Sequence, residues 1–274
     1  MPNNARNSID LADYNNIVFF TGAGMSAESG VPTYRGKGGV WHKYNWEDYA
    51  CQAAFIRDPE AVLDFHETRR RVLIDCLPHA GHELISDLEN NHENVWIITQ
   101  NIDGMHQRAG SKNIVELHGS AWRLRCDHCE IIIEDNNPEH YNNWKCDNDH
   151  WLRPDIVWFN DFLIPAITQM ADEIISKSDL FISIGTSGVV WPAAGFPQVA
   201  RSNGARHCNS APMAGSSECR IAQASARLSR QKLSLVYGGA SRTPGSYRYW
   251  QYIPSQGAPD IGPMTTICRI PRAW

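Results

Sequence analysis

Three short apolar runs, each stopped by small or polar residues, organise the first two hundred positions. Ile17-Val18-Phe19-Phe20 runs into Thr21-Gly22-Ala23-Gly24, and Val95-Trp96-Ile97-Ile98-Thr99 into Gln100-Asn101. Leu180-Phe181-Ile182-Ser183-Ile184 runs into Gly185-Thr186-Ser187. Continuous apolarity without alternation is what a strand covered on both faces requires. Between the runs the apolar spacing turns helical: over 59–77, Val62, Phe65, Val72 and Leu73 are separated by charges, and Pro78-His79-Ala80-Gly81-His82 opens a second helical segment. Strands alternating with helices predict an α/β fold, a doubly wound parallel sheet of Rossmann type with ligands beyond the carboxyl ends of its strands. Residues 120–155 break the alternation; they are polar, hold a cysteine cluster and read as a small inserted module. The organisation expected is a sheet domain from 1–119 and 156–205, the module at 120–155, and a tail at 206–274.

Composition changes this picture in one place. Of 274 residues 42% are hydrophobic and 20% charged, with a net charge of -5, which is ordinary for a globular protein and offers no general attraction to nucleic acid or anionic membrane. No run of about 18 apolar residues could span a bilayer. The start, "MPNNARNSIDLADYNN", lacks the apolar centre of a signal peptide, so a cytoplasmic protein is expected. The average charge hides a break, however. Residues 1–200 carry 28 acids against 15 Lys and Arg, whereas 201–274 carry 2 acids, Glu218 and Asp260, against 10 bases. The tail is rich in Ser, Gly, Pro and Arg, a composition typical of an out-of-frame reading or a diverged end joined near 205.

Four clusters carry candidate chemistry. Gly22 and Gly24 permit a tight turn after a strand, either as plain structure or to bring backbone N–H groups to a pyrophosphate at a helix N-terminus. Their third glycine is displaced to Gly30, unlike the usual dinucleotide fingerprint, and Arg35 is either a phosphate partner or a solvated charge. Gln100, Asn101 and Asp103 gather amide and carboxylate groups at a strand end, suited to ribose hydroxyls or a carboxamide, or else to a helix-capping turn. His118, beside Gly119, is placed to act as a general base near neutral pH; a structural histidine is the alternative in a chain with 11 of them. Among eight cysteines, Cys126-x-x-Cys129 and Cys146 have zinc-knuckle spacing. The fourth ligand is His150 or Asp149, with His150 favoured as the commoner partner of three thiolates, and a module without metal is the alternative.

The motifs "GAGMSAESGVPTYRG", "TQNIDGMHQRAG", "ELHGS", the cysteine module, "LRPDIVWFND" and "GTSGVVWPAAGFPQVA" occur in an order that resembles the sirtuin family of NAD-dependent protein deacylases, bacterial-type and class III-like, over residues 15–205. The resemblance implies that the sheet domain binds NAD. Gly22, Ala23, Gly24, Ser26, Glu28, Tyr34, Arg35 and Trp41 would line the cofactor site, the segment from Pro32 to Trp41 being a mobile loop. Gln100, Asn101, Ile102 and Asp103 would hold the nicotinamide ribose and carboxamide, and Gly185, Thr186 and Ser187 the adenosine side. His118 and Asn101 would be catalytic, and Val157-Trp158-Phe159 would pair with the substrate peptide as an added strand. The implied reaction starts with attack of the acyl-lysine oxygen on the ribose as nicotinamide leaves. His118 then deprotonates a ribose hydroxyl for attack on the imidate, and water releases lysine and O-acyl-ADP-ribose. The zinc would be structural, the partners acyl-lysine proteins or peptides, and the protein a monomer.

The chain departs from the family at three points. Members that favour acidic acyl groups carry Tyr-x-x-Arg where this sequence has His66-Glu67-Thr68-Arg69, so Arg69 is present for a carboxylate and His66 can offer one hydrogen bond. The competing reading is a solvated basic face, Arg69-Arg70-Arg71. Trp158-Phe159-Asn160-Asp161 replaces a usual Phe-Gly-Glu. After residue 205 family members supply a further strand, an Asn-rich turn and a closing helix, which this chain is expected to lack; Asn209 is at most a remnant of the turn, and "LSLVYGGASRTPG" looks like a strand and glycine loop by chance. NAD hydrolysis, mono-ADP-ribosyl transfer and a product made defective by its tail are the competing functional readings.

Overall fold

The computed structural model describes residues 8–35, 38–137 and 140–209, together with the backbone of 223–228, 231–237 and 250–252. Its strands in chain order are β1 (Ser8–Asp10), β2 (Ile17–Thr21), β3 (Val95–Thr99), β4 (Ile114–Glu116), β5 (Gly119–Cys126), β6 (Ile131–Glu134), β7 (Arg153–Ile156), β8 (Leu180–Ile184) and β9 (Arg206–Asn209). The three apolar runs are β2, β3 and β8, and every residue of β2 and β8 is buried. They form the centre of a five-stranded parallel sheet in the order β4-β3-β2-β8-β9. From β2 the chain winds outward one way through β3 and β4, then crosses to β8 and β9 on the other side. This is the doubly wound arrangement, with its switch point between β2 and β8. One apolar layer, including Ile17, Phe19, Ile97 and Ile182, covers one face of the sheet, and a second, including Val18, Phe20, Ile98 and Phe181, covers the other.

The helix Pro59–Ile74 starts where Asp58 caps the Ala61 amide at 3.0 Å and Pro59 occupies the first turn. Its buried stripe is Val62, Phe65, His66, Arg70 and Leu73, whereas Val72 lies on the outer face and is exposed. The arginine run is therefore no uniform solvated face. Arg70 is 1% exposed and pairs with Asp135 at 2.9 Å, its guanidinium over the Tyr141 ring at 4.3 Å. Arg71 alone of the three points outward, 3.7 Å from Glu67.

The inserted module is an antiparallel sheet, β6-β5-β7, beside the main sheet. Arg70 ties it to the long helix, and so does Glu67, which accepts from the Tyr141 amide and the Trp144 indole.

The strand after residue 205, expected to be missing, is present. β9 extends the sheet beside β8, and Cys208 is fully buried within it. Sheet formation therefore continues to Asn209, past the compositional break. The backbone of β10 (Gln223–Leu228), β11 (Gln231–Tyr237) and β12 (Trp250–Tyr252) joins β1 in a third sheet ordered β1-β10-β11-β12, with the "LSLVY" run in β11. The remainder of 210–274, and with it the frameshift reading of the tail, lies outside the described residues.

Candidate active site and metal centre

The carboxyl ends of β2 and β8 meet at the switch point through their glycines. Gly24 N donates to Gly185 O at 2.9 Å and Gly22 N to Ile184 O at 3.0 Å. A Cβ on Gly22 or Gly24 would stand 2.8–2.9 Å from the backbone of Gly185 or Thr186, and one on Gly185, at φ +63°, would stand 2.2 Å from Met25 N. Gly22 itself is extended (φ -130°), so the turn needs glycine for close approach of two backbones, not for an unusual dihedral angle. The helix behind it, Ala23–Ser26, is a single turn that continues as the 3-10 turn Ala27–Ser29. The helix here is thus a single turn, and the amides of Gly22, Gly24 and Met25 are already committed, to Ile184 O, Gly185 O and Gly22 O.

These loops open into one cleft of about 1810 Å³, larger than the roughly 300–1,000 Å³ of a single small-molecule site. Its walls bring together most of the residues singled out in the sequence. Gly22, Ala23, Gly24, Gly185, Thr186 and Ser187 form one end, and Gln100, Asn101, Ile102 and His118 the middle. Tyr34, Arg35 and Trp41 contribute from the loop, and His66, Arg69, Val157, Trp158 and Phe159 form the other end. Gln100 bridges the two halves of the sheet, donating from Nε2 to Thr186 Oγ1 at 3.0 Å.

Three expected residues do not line the cleft. Glu28 is exposed on the 3-10 turn, outside the lining. Ser26 and Asp103 are buried, outside its lining, and are joined to Asn101. Ser26 Oγ accepts from Asn101 Nδ2 at 3.1 Å and donates to Asp103, whose Oδ1 also accepts from Met105 N at 3.0 Å. Burial raises the Asp103 carboxyl, and these donors pull it back. The other Asn101 Nδ2 hydrogen goes to Gly22 O at 3.0 Å, so both amide hydrogens are spent and Oδ1 is the group left to accept.

His118 sits after β4, and its Nδ1 is 2.9 Å from Gln100 O. A carbonyl only accepts, so Nδ1 carries the proton and Nε2 presents a lone pair to the cleft. Burial lowers the pKa of the ring, opposed by that hydrogen bond, which keeps it neutral and basic at pH 7. Gly119 is obligatory here: its φ is +74° and a Cβ would lie within 1.9 Å of Asp155 O on β7.

At the far end, His66 is withdrawn from the cleft's polar chemistry. Its Nε2 is 3.2 Å from both the Trp158 indole N–H and Tyr49 O, and burial drives its pKa down to about 3. Tyr34 instead places its phenol on Arg69 in a side-chain hydrogen bond; burial, partly offset by that arginine, pushes the phenol up to about 12. Trp41 stacks between Tyr34 and Phe65 at 5.9 and 6.2 Å.

Val157-Trp158-Phe159 differs from the expected strand edge, since all three amides are taken. Val157 N donates to His118 O, Trp158 N to Asp161 Oδ2 and Phe159 N to Ala50 O, at 3.0–3.1 Å. Only carbonyls are left to pair with another chain. Sequence reasoning missed the opposite wall, where Val189, Trp191 (76% exposed) and Phe162 (94% exposed) line the cleft. A proline-flanked tryptophan directly after "GTSGVV" was the available signal.

In the module, Cys126, Cys129, Cys146 and His150 direct ligand atoms to one point, all within 4.8 Å of one another. His150 Nδ1 is 3.3 Å from Cys129 Sγ, while Asp149 points outward to Lys145 at 2.8 Å. Of the two candidates for the fourth position, His150 is the one whose ring joins the three thiols. Three thiols and an imidazole in a closed set fit a four-coordinate structural zinc with no open position.

The sequence matches the Sir2 family over residues 22–192. An NAD-dependent protein deacylase 2 of Pyrobaculum aerophilum is 47% identical over 199 residues, covering 72% of this chain and 79% of its own. An NAD-dependent protein deacylase of Aquifex aeolicus is 44% identical over 193 residues, covering 70% and 81%. Among solved structures, a Sir2 homologue–NAD complex superposes with a TM-score of 0.67 at 37% identity, covering 73% of this chain and 78% of that one. A Sir2 variant with a deacetylated p53 peptide and 3'-O-acetyl-ADP-ribose gives 0.64 at 30%, covering 73% and 82%. With the family pattern spanning both loops of the switch point, the histidine and the cysteine module, the chain belongs to the Sir2, or sirtuin, family of NAD-dependent protein deacylases.

Proposed function

We propose that this protein transfers acyl groups from protein lysine side chains to the ADP-ribose of NAD, releasing nicotinamide. The observation that carries the reading is the pairing, in one cleft, of His118 Nε2 as a free base with Asn101 Oδ1 as a fixed acceptor. NAD supplies the leaving nicotinamide and the ribose hydroxyl that becomes the acyl acceptor. Arg35, with loop amides other than those of Gly22, Gly24 and Met25, holds its phosphates, and Gly185, Thr186 and Ser187 the adenosine end. Asn101 Oδ1 orients a donor of the nicotinamide ribose or carboxamide, supported from below by Ser26 and Asp103. His118 takes a proton from the ribose hydroxyl at Nε2, its Nδ1–H staying on Gln100 O. The substrate chain uses the carbonyls of 157–159, and its acyl-lysine enters between Trp158, Phe159 and the His118 side of the cleft. Cys126, Cys129, Cys146 and His150 hold a structural zinc.

For the acyl group we infer acceptance of an acidic chain such as succinyl. Arg69 supplies the charge, and Tyr34, already on it, supplies the phenol that position 66 lacks. A buried neutral His66 contributes shape alone.

The test is nicotinamide release from NAD by the 274-residue protein, with acetyl- and succinyl-lysine peptides in parallel and His118→Ala as control. Peptide-dependent release that the substitution lowers at least about 100-fold supports the reading. Release without peptide assigns NAD hydrolysis instead. No release by the intact chain refutes deacylation, and a faster acetyl than succinyl reaction refutes the acyl preference.

A further inference from the structure

Beneath the cleft lie three histidines that take no part in the chemistry above. His79 caps the helix Ala80–Asn91, His82 sits in its first turn, and His106 lies on the short helix Met105–Arg108. Their rings follow one another into the core, His79 to His82 at 4.3 Å and His82 to His106 at 4.9 Å. His82 and His106 are fully buried, and each has one ring nitrogen without a partner, Nε2 of His82 and Nδ1 of His106.

The surrounding hydrogen bonds fix where the protons are. The His79 amide donates to His82 Nδ1 at 3.3 Å, so that nitrogen holds a lone pair and Nε2 carries the hydrogen. Thr21 Oγ1 donates to Thr99 Oγ1 at 2.8 Å, leaving Thr21 to accept from His106 Nε2 at 3.1 Å. His106 therefore carries its hydrogen on Nε2 and a lone pair on Nδ1. The two unpartnered atoms are thus a donor and an acceptor, on rings in edge-to-face contact. Thr99 Oγ1 in turn accepts from the Asn101 amide at 3.0 Å.

We propose that His106 is a positioning residue for Asn101, joined to it by one directional chain, with the His82 ring packed edge-on behind it. The chain runs from His106 Nε2–H to Thr21, and from Thr21 to Thr99, which holds the Asn101 main chain. It links the short helix Met105–Arg108 and the ends of β2 and β3, so these parts of the cradle share one set of proton positions. Each ring must keep one lone pair, and a ring protonated at both nitrogens turns an acceptor into a clash of donors. The role of Asn101 rests on the function proposed above; the order of protons does not.

Two measurements test this on the intact protein. Nitrogen-15 NMR at pH 7 should find the His106 ring neutral and in the Nε2–H form; an Nδ1–H form or a protonated ring there overturns the chain, whatever the activity. The second is a double-mutant cycle on nicotinamide release with saturating NAD and acyl-lysine peptide. Thr21→Val, which keeps shape and deletes the hydroxyl, should slow release about tenfold, and Thr21→Ser should restore it. With the link cut, adding His106→Phe should cost little more than Thr21→Val alone. Penalties that simply multiply, or a Thr21→Val enzyme at the unaltered rate, overturn positioning through this route. If Thr21→Val fails to fold, Thr99→Val with Thr99→Ser breaks and restores the next link and is read the same way. An unsubstituted protein that releases no nicotinamide would refute the proposed function while the NMR result still decides the chain.

Discussion

Replacing Gly185 by alanine would force apart the two backbones that form the switch point. The new Cβ would lie 2.2 Å from Met25 N and 2.4 Å from Gly24 C, more than 1 Å inside ordinary contact as a rough measure. Both neighbours are main chain, so no side chain can yield. An alanine at φ +63° costs about 1–2 kcal/mol by itself. Relieving the clash separates Gly24 N from Gly185 O and Gly22 N from Ile184 O, about 1 kcal/mol each. Together these make about 4 kcal/mol, a large part of the roughly 5–15 kcal/mol that holds a domain folded. Gly188 provides the control, because its φ is +66° and nothing lies within 4 Å of its added Cβ. Gly188→Ala should therefore lose only the dihedral cost. In thermal melts Gly185→Ala should fall by about 8–16 °C and Gly188→Ala by about 2–8 °C. With NAD present, only Gly188→Ala should regain stability by binding. Equal melts and equal NAD stabilisation for the two variants would show that close approach is not what the glycine provides.

Three further outcomes are expected. Metal analysis should find one zinc per chain, retained by Asp149→Ala and lost by His150→Ala, since His150 turns inward and Asp149 faces Lys145. Arg70→Met should destabilise by about 3 kcal/mol, because it strands the buried Asp135 carboxylate that Arg70 pairs at 2.9 Å; a urea midpoint unchanged from the parent would contradict this. Stability should be flat above pH 6.5 and fall as pH drops from there towards 4. Burial lowers the rings of His82, His66, His106 and His207 to about 2, 3, 4 and 4, so the unfolded chain takes up protons that the native one does not. Urea midpoints that stay level down to pH 5 would refute it.

The sheet was legible because its strands are covered on both faces, which leaves unbroken apolar runs that nothing else in the chain imitates. Strand β9 was not, since "RHCN" has one apolar residue; β8 beside it, not its own pattern, makes it a strand. The same limit applies to Val72, whose spacing suits a helix but not that helix's inner stripe. Arg70 read as surface because a single charge cannot announce an Asp135 that lies 65 positions away. At the site, motifs gave the cleft wall almost completely. They could not separate residues in the wall from those one layer below it, because Ser26 and Asp103 share the same short stretches as their exposed neighbours.

That layering bears on how the two ends of the cleft respond to sequence change. At the glycine end the shape is set by main chain against main chain, by Asn101 with both amide hydrogens committed, and by Gln100 bridging to Thr186. Few substitutions there leave a folded site. At the Arg69 end the shape depends on side chains, the stack of Tyr34, Trp41 and Phe65 and the indole of Trp158 over His66. Side chains can exchange roles without moving the backbone, so a phenol carried by Tyr34 on one element can stand in for one lost at His66 on another. The Arg69 end is thus where this fold can exchange side chains at small cost in stability.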